Sequence, residues 1–371
     1  MNEQRLVKIT AVIDQTLVNK VTTALKDAGI EDIYTTVARS PIVKTNTGFL
    51  GLFRGNTLDS RPVEVVAFIV PEEQEDDCIK LVTQSGHLDI PGHGSVYSEA
   101  VSLEESYGLC KPSKLKVFPV GEVHVFQDLI GICCVVQRGQ GDAIARVVLE
   151  TGSAVPWITY GTGTGVRDKL GLLRITIPAE KEVLTLIAPS WDAEQIMENM
   201  IKAGKLDLPG RGFINTFKVR KGVVDTKISV GQNSQAASLE QIIGVIDKIQ
   251  GGMEWRRNEK NKSTNNSRSF FSGVDLKVVC NEGSGLKLVK SAMAAGASGA
   301  TIEKRRLLGK AEKDEKYISR AREVCRMTVP ADKVEEINKA LKEAGATDEG
   351  SQAMVYSYPI DKAFTYIKRK A

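Results

Sequence analysis

Histidine is nearly missing from this chain, with three residues in 371. So few imidazoles leave little room for a histidine-built metal or catalytic centre. No run of 18 apolar residues occurs, which excludes a membrane-spanning helix and direct membrane insertion by one. Six cysteines include no CxxC pair, and four of them lie inside apolar runs, where reduced core thiols are expected. Charge of one sign is also lacking. Fifty basic residues against 46 acidic ones leave +4, too little to argue for a nucleic-acid partner. There is no GxSxG, no HExxH and no cysteine with activating company, so no catalytic set emerges and an enzyme is not expected. The opening residues, Met-Asn-Glu-Gln-Arg, lead into a strand-like run without a signal-peptide pattern, and a cytoplasmic location is expected.

What the chain does have is a repeat. Three segments run from Glu-Val through five residues to proline, at Glu64 to Pro71, Glu182 to Pro189 and Glu323 to Pro330. Fifteen residues after each proline stands a glycine: Gly86, Gly204 and Gly345. Upstream, Gly29, Gly152 and Gly296 close a helical segment, at 35, 30 and 27 residues before the Glu-Val. Three fixed offsets establish an internal repeat.

Each copy opens with a strand of period two. Lys8 and Thr10 alternate with Val7, Ile9 and Ala11, and Asp275 and Lys277 alternate with Val274, Leu276 and Val278. That pattern predicts one buried and one wet face. Helically spaced residues such as Leu17, Val18, Val21 and Leu25 follow. A second strand, a variable loop, the Glu-Val strand, a second helix and a last strand (95–101, 213–219, 353–358) complete β-α-β-β-α-β. The expected fold class is therefore α+β, three ferredoxin-like repeats forming an intramolecular pseudo-trimer. The expected units are residues 1–107, 126–230 and 273–371. Residues 231–272 are expected to hold an amphipathic helix opened by the capping box Ser238-Leu-Glu-Gln241, then a flexible polar linker.

The second helices end in similar loops, Gly86-His87-Leu-Asp-Ile-Pro-Gly92-His93-Gly94 and Gly204-Lys205-Leu-Asp-Leu-Pro-Gly210-Arg211-Gly212. With the element order, these loops resemble those of the P-II nitrogen-regulatory family, whose Gly-Lys-Ile-Gly-Asp-Gly-Lys loop cradles nucleotide phosphates. Gly51-Leu-Phe-Arg-Gly55 is similar to the Leu-Tyr-Arg-Gly of that family's effector loop. The resemblance covers nearly all of the first two repeats and reaches the third by internal repetition. It implies a trimer-like signalling protein that binds ATP, ADP, AMP or a similar metabolite between units and needs no cofactor. Its output would be a regulated partner protein, such as a membrane transporter or a metabolic enzyme, docked through a loop. Ser95 and Phe213 stand where the family has lysine, while Leu58 and Asn56 stand at its modified tyrosine and serine, so neither modification is expected.

Anion binding is expected on Gly204, Lys205, Gly210, Arg211, Gly212, Lys218 and Arg220, the best-kept set, and on Gly86, His87, Gly92, His93 and Gly94. Glycine lets backbone N–H groups approach a phosphate, and arginine supplies a forked donor. A plain helix-to-strand turn remains the alternative for either loop. His87 and His93 lack a third ligand type near them in sequence, so no metal site is expected. In the variable segment 44–62, Phe49, Leu50, Leu52, Phe53 and Arg54 are the expected partner-docking residues. Gly161-Thr-Gly-Thr-Gly165 lacks a Gly-Lys-Ser/Thr ending and is expected to be a short loop. Three units in one chain predict a monomer, or a dimer of whole chains. Two other readings stay open: an interaction scaffold that senses nothing, and a metal-binding protein of the same fold.

Overall fold

The computed structural model describes residues 5–47, 54–106, 121–164, 180–225, 268–309, 312–313 and 316–366. The first third holds β1 (Leu6–Asp14), α1 (Val18–Asp27), β2 (Tyr34–Thr47), β3 (Arg54–Pro71), α2 (Glu75–Gly86) and β4 (Gly94–Ser106). The second holds β5 (Leu129–Gln137), α3 (Gly141–Thr151), β6 (Trp157–Gly163), β7 (Glu180–Pro189), α4 (Ser190–Gly204), β8 (Gly212–Val219) and the short β9 (Gly222–Val223). The last holds β10 (Phe271–Asn281), α5 (Gly285–Ala294) and β11 (Thr301–Leu307), then the small pair β12 (Glu312–Lys313) and β13 (Lys316–Tyr317). It ends with β14 (Ala321–Val329), α6 (Val334–Glu343) and β15 (Met354–Thr365).

The sheet topology corrects the expected fold class. The strands do not form three ferredoxin-like α+β repeats gathered as a pseudo-trimer. Thirteen of them hydrogen-bond into one antiparallel sheet, in the order β11-β14-β10-β15-β8-β5-β7-β6-β2-β3-β1-β4-β9, and further pairings β11–β6, β11–β2 and β15–β4 close it into a barrel. The closing seams are short and specific, with Leu307 opposite Tyr34, Ile302 opposite Thr162 and Ser357 opposite Ser102. Closure removes the open edges that separate sheets would expose.

Closure also overturns the expected wet strand face. Lys8 and Thr10 are buried, and so are Asp275 and Lys277, because the polar phase of β1 and β10 points into the barrel instead of to solvent. The apolar phase points outward, beneath the helices. Ile9, Ile13, Val21, Leu25, Ile79 and Val82 form one such outer core, and α3–α4 and α5–α6 cover two others. The barrel interior is a fourth core, with Tyr97, Trp157, Phe217 and Tyr358 among its large side chains.

The repeated Glu-Val has a local cause. Glu64, Glu182 and Glu323 stand opposite Ile13, Val136 and Cys280, the same place near the end of each opening strand. Glu182 Oε2 accepts the N–H of Gly139 (3.0 Å) and Gly141 (2.7 Å), and Glu323 Oε2 accepts that of Gly285 (2.9 Å). A carboxylate thus meets free donors at a helix N-terminus, where the dipole favours it. In the first third Asp14 Oδ1 takes over, accepting the Thr16 N–H at 3.0 Å.

The variable segment after β2 is also shorter than expected. β2 and β3 stay paired out to Thr47 opposite Arg54, so most of 44–62 is a two-stranded ribbon. Phe49, Leu50, Leu52 and Phe53 lie outside the described residues, as do 165–169, 238–246 and most of 258–268. Gly161 and Gly163 belong to β6 rather than to a loop. They sit at the β11 seam, where a Cβ on Gly161 would come within 2.8 Å of the Ile302 carbonyl oxygen.

Candidate ligand cleft

Two glycine loops leave α2 and α4 in the same way, and neither Gly86 nor Gly204 takes a left-handed conformation. That conformation falls on the next residues, His87 (φ 48°) and Lys205 (φ 50°), which cap the helices. Gly86 and Gly204 instead sit where the helices pack closely. A Cβ on Gly86 would stand 3.2 Å from Val21 Cγ2, and one on Gly204 3.0 Å from Ile144 Cδ1. Gly94 and Gly212 admit no side chain, since a Cβ would lie 1.8 Å from the Val12 oxygen and 2.4 Å from the Val135 oxygen.

Beside the loop 86–94 lies a cleft of about 590 Å³. Its walls come from three parts of the chain: His87, Asp89 and Pro91 from the loop, Glu122, His124 and Phe126 from the stretch before β5, and Val223 to Asp225 from the end of β9 onward. The rings of His124 and Phe126 meet edge to face at 4.8 Å. At the glycine loop the Gly92 N–H donates to Asp225 Oδ1 at 2.8 Å, and the Asp225 N–H donates to Ser95 Oγ at 2.8 Å. A carboxylate from the second third therefore occupies a backbone donor of the first third's loop. Arg61 donates to the Gly92 carbonyl at 2.8 Å, fixing the peptide from the other side. His87 Nε2 lies 2.7 Å from Lys20 Nζ, while His93 keeps its Nδ1 buried without a hydrogen bond.

The cations expected around the second loop are dispersed. Lys205 and Arg211 stay on loop 204–212, but Lys218 faces Asp361 at 3.5 Å. Arg220 reaches across to the first third, donating to Glu75 Oε1 (2.9 Å) and Glu72 Oε1 (2.6 Å) beside the N-terminus of α2. Lys221 joins it, 2.7 Å from Asp76. Burial pulls the Glu75 carboxyl upward, but the bond from Arg220 and the charge of Lys221 outweigh it and hold the group below the ordinary value. The basic run from Lys218 to Lys221 thus joins neighbouring parts of the barrel. Phe213 packs against Phe271 with ring centroids 6.3 Å apart, and the Gly210 carbonyl accepts from Gln137 Nε2 at 3.1 Å. Arg54, the last of the expected docking residues, opens β3.

Sequence reasoning passed over Asp225 and His124, since neither belongs to a repeated motif. It also passed over Arg39 of β2, which bonds Tyr160, Asp142 and Glu182 of the second third at 2.7, 2.5 and 3.2 Å. Asp225 lies four residues beyond the basic run, and that proximity was the one available signal.

No family model and no curated protein matches this chain. Among solved structures it is distantly similar to Bacillus subtilis GlnK, a P-II protein, in its ATP complex and in a second structure of GlnK. Each aligns at 11% identity and a TM-score of 0.23, covering 27% of this chain and 89% or 90% of the other.

Proposed function

We propose that this protein is a P-II-like regulator, not an enzyme, that binds a nucleotide or related anionic metabolite in the cleft beside loop 86–94. The observation that carries the reading is Asp225, a wall residue of the 590 Å³ cleft whose carboxylate engages the Gly92 N–H of the adjoining glycine loop. Clefts of this size suit metabolites, and glycine-loop donors suit anionic oxygens. Asp225 occupies that donor, so an incoming phosphate would have to displace it. The ligand then competes with a built-in anion, and its arrival is coupled to movement of the chain after β9. Output is assigned to the end of the β2–β3 ribbon, where Phe49, Leu50, Leu52, Phe53 and Arg54 lie in sequence, with a transporter or a metabolic enzyme as the partner.

Calorimetry with ATP, ADP and AMP on wild type and Asp225→Asn tests this. Loss of the competing charge should tighten binding by about tenfold, the value of one charge-assisted contact. Absence of binding to both proteins would refute it. A second reading, a scaffold that senses nothing, is favoured by the same bond, because Asp89, Glu122 and Asp225 all line the cleft and repel anions. Under that reading neither protein binds a nucleotide.

A further inference from the structure

We propose that the barrel interior contains a buried site for a small monovalent inorganic anion, with chloride as its probe. The space is a cavity of about 40 Å³ lined by residues of the barrel strands. One water needs roughly 10–15 Å³ in this measure, so there is room for a halide with a water or two.

The charges around it do not balance. Lys8 and Glu99 neutralise each other in a buried ion pair. Lys277, Arg305 and Arg326 remain on the cavity side, against Asp275 and Glu303, which leaves three cations to two carboxylates. An uncompensated charge in a protein interior is costly unless it finds a counter-ion.

Arg326 Nη1 donates to the Cys133 sulfur, but other donors around the cavity are unused. Lys277 is 2% exposed, and its ion pair with Asp275 spans 3.9 Å, beyond hydrogen-bond reach. Among the described residues no hydrogen bond engages its ammonium, which lies 4.5 Å from the Tyr358 ring centre. Arg305 Nε and Arg326 Nε are buried without hydrogen bonds as well. One anion among these three groups would satisfy donors and charge together. The free oxygens Asp275 Oδ1 and Glu303 Oε1 would take the accompanying water.

The site is also sensitive to protons. Burial first, then the charges of Lys8 and Arg326, push the Lys277 ammonium down to about 7. Asp275 and Glu99 pull the other way, and the Tyr97 and Tyr358 hydroxyls and the Cys133 thiol, also inside, are all raised and stay neutral. An anion needs the charged ammonium, so binding should weaken as pH rises above 7.

The test refolds the protein in halide-free buffer and follows Tm against chloride, with gluconate holding ionic strength constant. The expected result is a saturable rise in Tm that fades between about pH 7 and 9, since a ligand of the native state alone stabilises it. Lys277→Met should weaken halide affinity by about 10- to 100-fold. Should that variant fail to fold, wild-type crystals grown in bromide decide the question by an anomalous peak in the cavity. Equal Tm in chloride and gluconate, or a cavity holding water and no bromide, would overturn the proposal.

Discussion

Lys8 and Glu99 stand directly opposite each other on β1 and β4, and their ion pair is sealed inside the barrel. The same register position holds Gly131 opposite Phe217 in the second third and Asp275 opposite Tyr358 in the last. One repeated site has three chemistries: an ion pair, an aromatic ring laid over a glycine, and a phenol bonded to a carboxylate.

Removing one member of the buried ion pair should be far worse than removing both. Lys8→Met leaves Glu99 charged and buried, at a cost of about 3–5 kcal/mol, whereas Lys8→Met with Glu99→Leu should be close to neutral. Urea denaturation of the two variants gives the comparison. Burial raises the Glu99 carboxyl, but Lys8 and Lys277 hold it below the ordinary value. Its contribution is therefore present above the unfolded value near 4.5 and is lost as pH falls through the lower folded value.

Lys277 gives a slope of the same sign in a higher pH window. With its ammonium at about 7 instead of 10.5, the unfolded chain binds the extra proton between those values. Stability should accordingly rise with pH from about 7 to 10.5 in halide-free buffer. In Lys277→Met this slope should disappear, as read from chemical denaturation at a series of pH values.

Arg220→Ala should destabilise the barrel rather than abolish anion binding alone. Glu75 is 2% exposed, and it would lose both bonds from that guanidinium. A cost of about 1.5–3 kcal/mol is expected for a charged hydrogen-bonded group left short of partners. Arg211→Ala, on the loop itself, should leave the urea midpoint unchanged.

A methyl at Gly131 has nowhere to go, since its Cβ would lie 2.0 Å from the Phe217 ring. Gly131→Ala should cost about 1–3 kcal/mol through overpacking. Adding Phe217→Leu should relieve part of that loss, and a double-mutant cycle on thermal midpoints measures the coupling.

Sequence periodicity found the strands and helices because it is local. Lys8 with Thr10, and Asp275 with Lys277, marked strands with two distinct faces, and those strands exist. The side to which the polar face turns depends on closure through seams such as Leu307 opposite Tyr34, between residues far apart in sequence. A local pattern cannot distinguish water from a sealed polar interior. Likewise the glycine loops were visible as motifs. The carboxylate that binds Gly92 was not, because Asp225 arrives from the next third of the chain.

The seam at β11 has a kinetic consequence. Each outer core can gather over a short stretch of chain, but Ile302 and Leu307 meet Thr162 and Tyr34 only after distant segments have been brought into register. Loop-closure entropy opposes such contacts until late. Folding should therefore end in a slow ring-closing step. Before it, Lys8, Lys277 and Glu99 remain hydrated, so the desolvation of the interior charges falls on the last barrier.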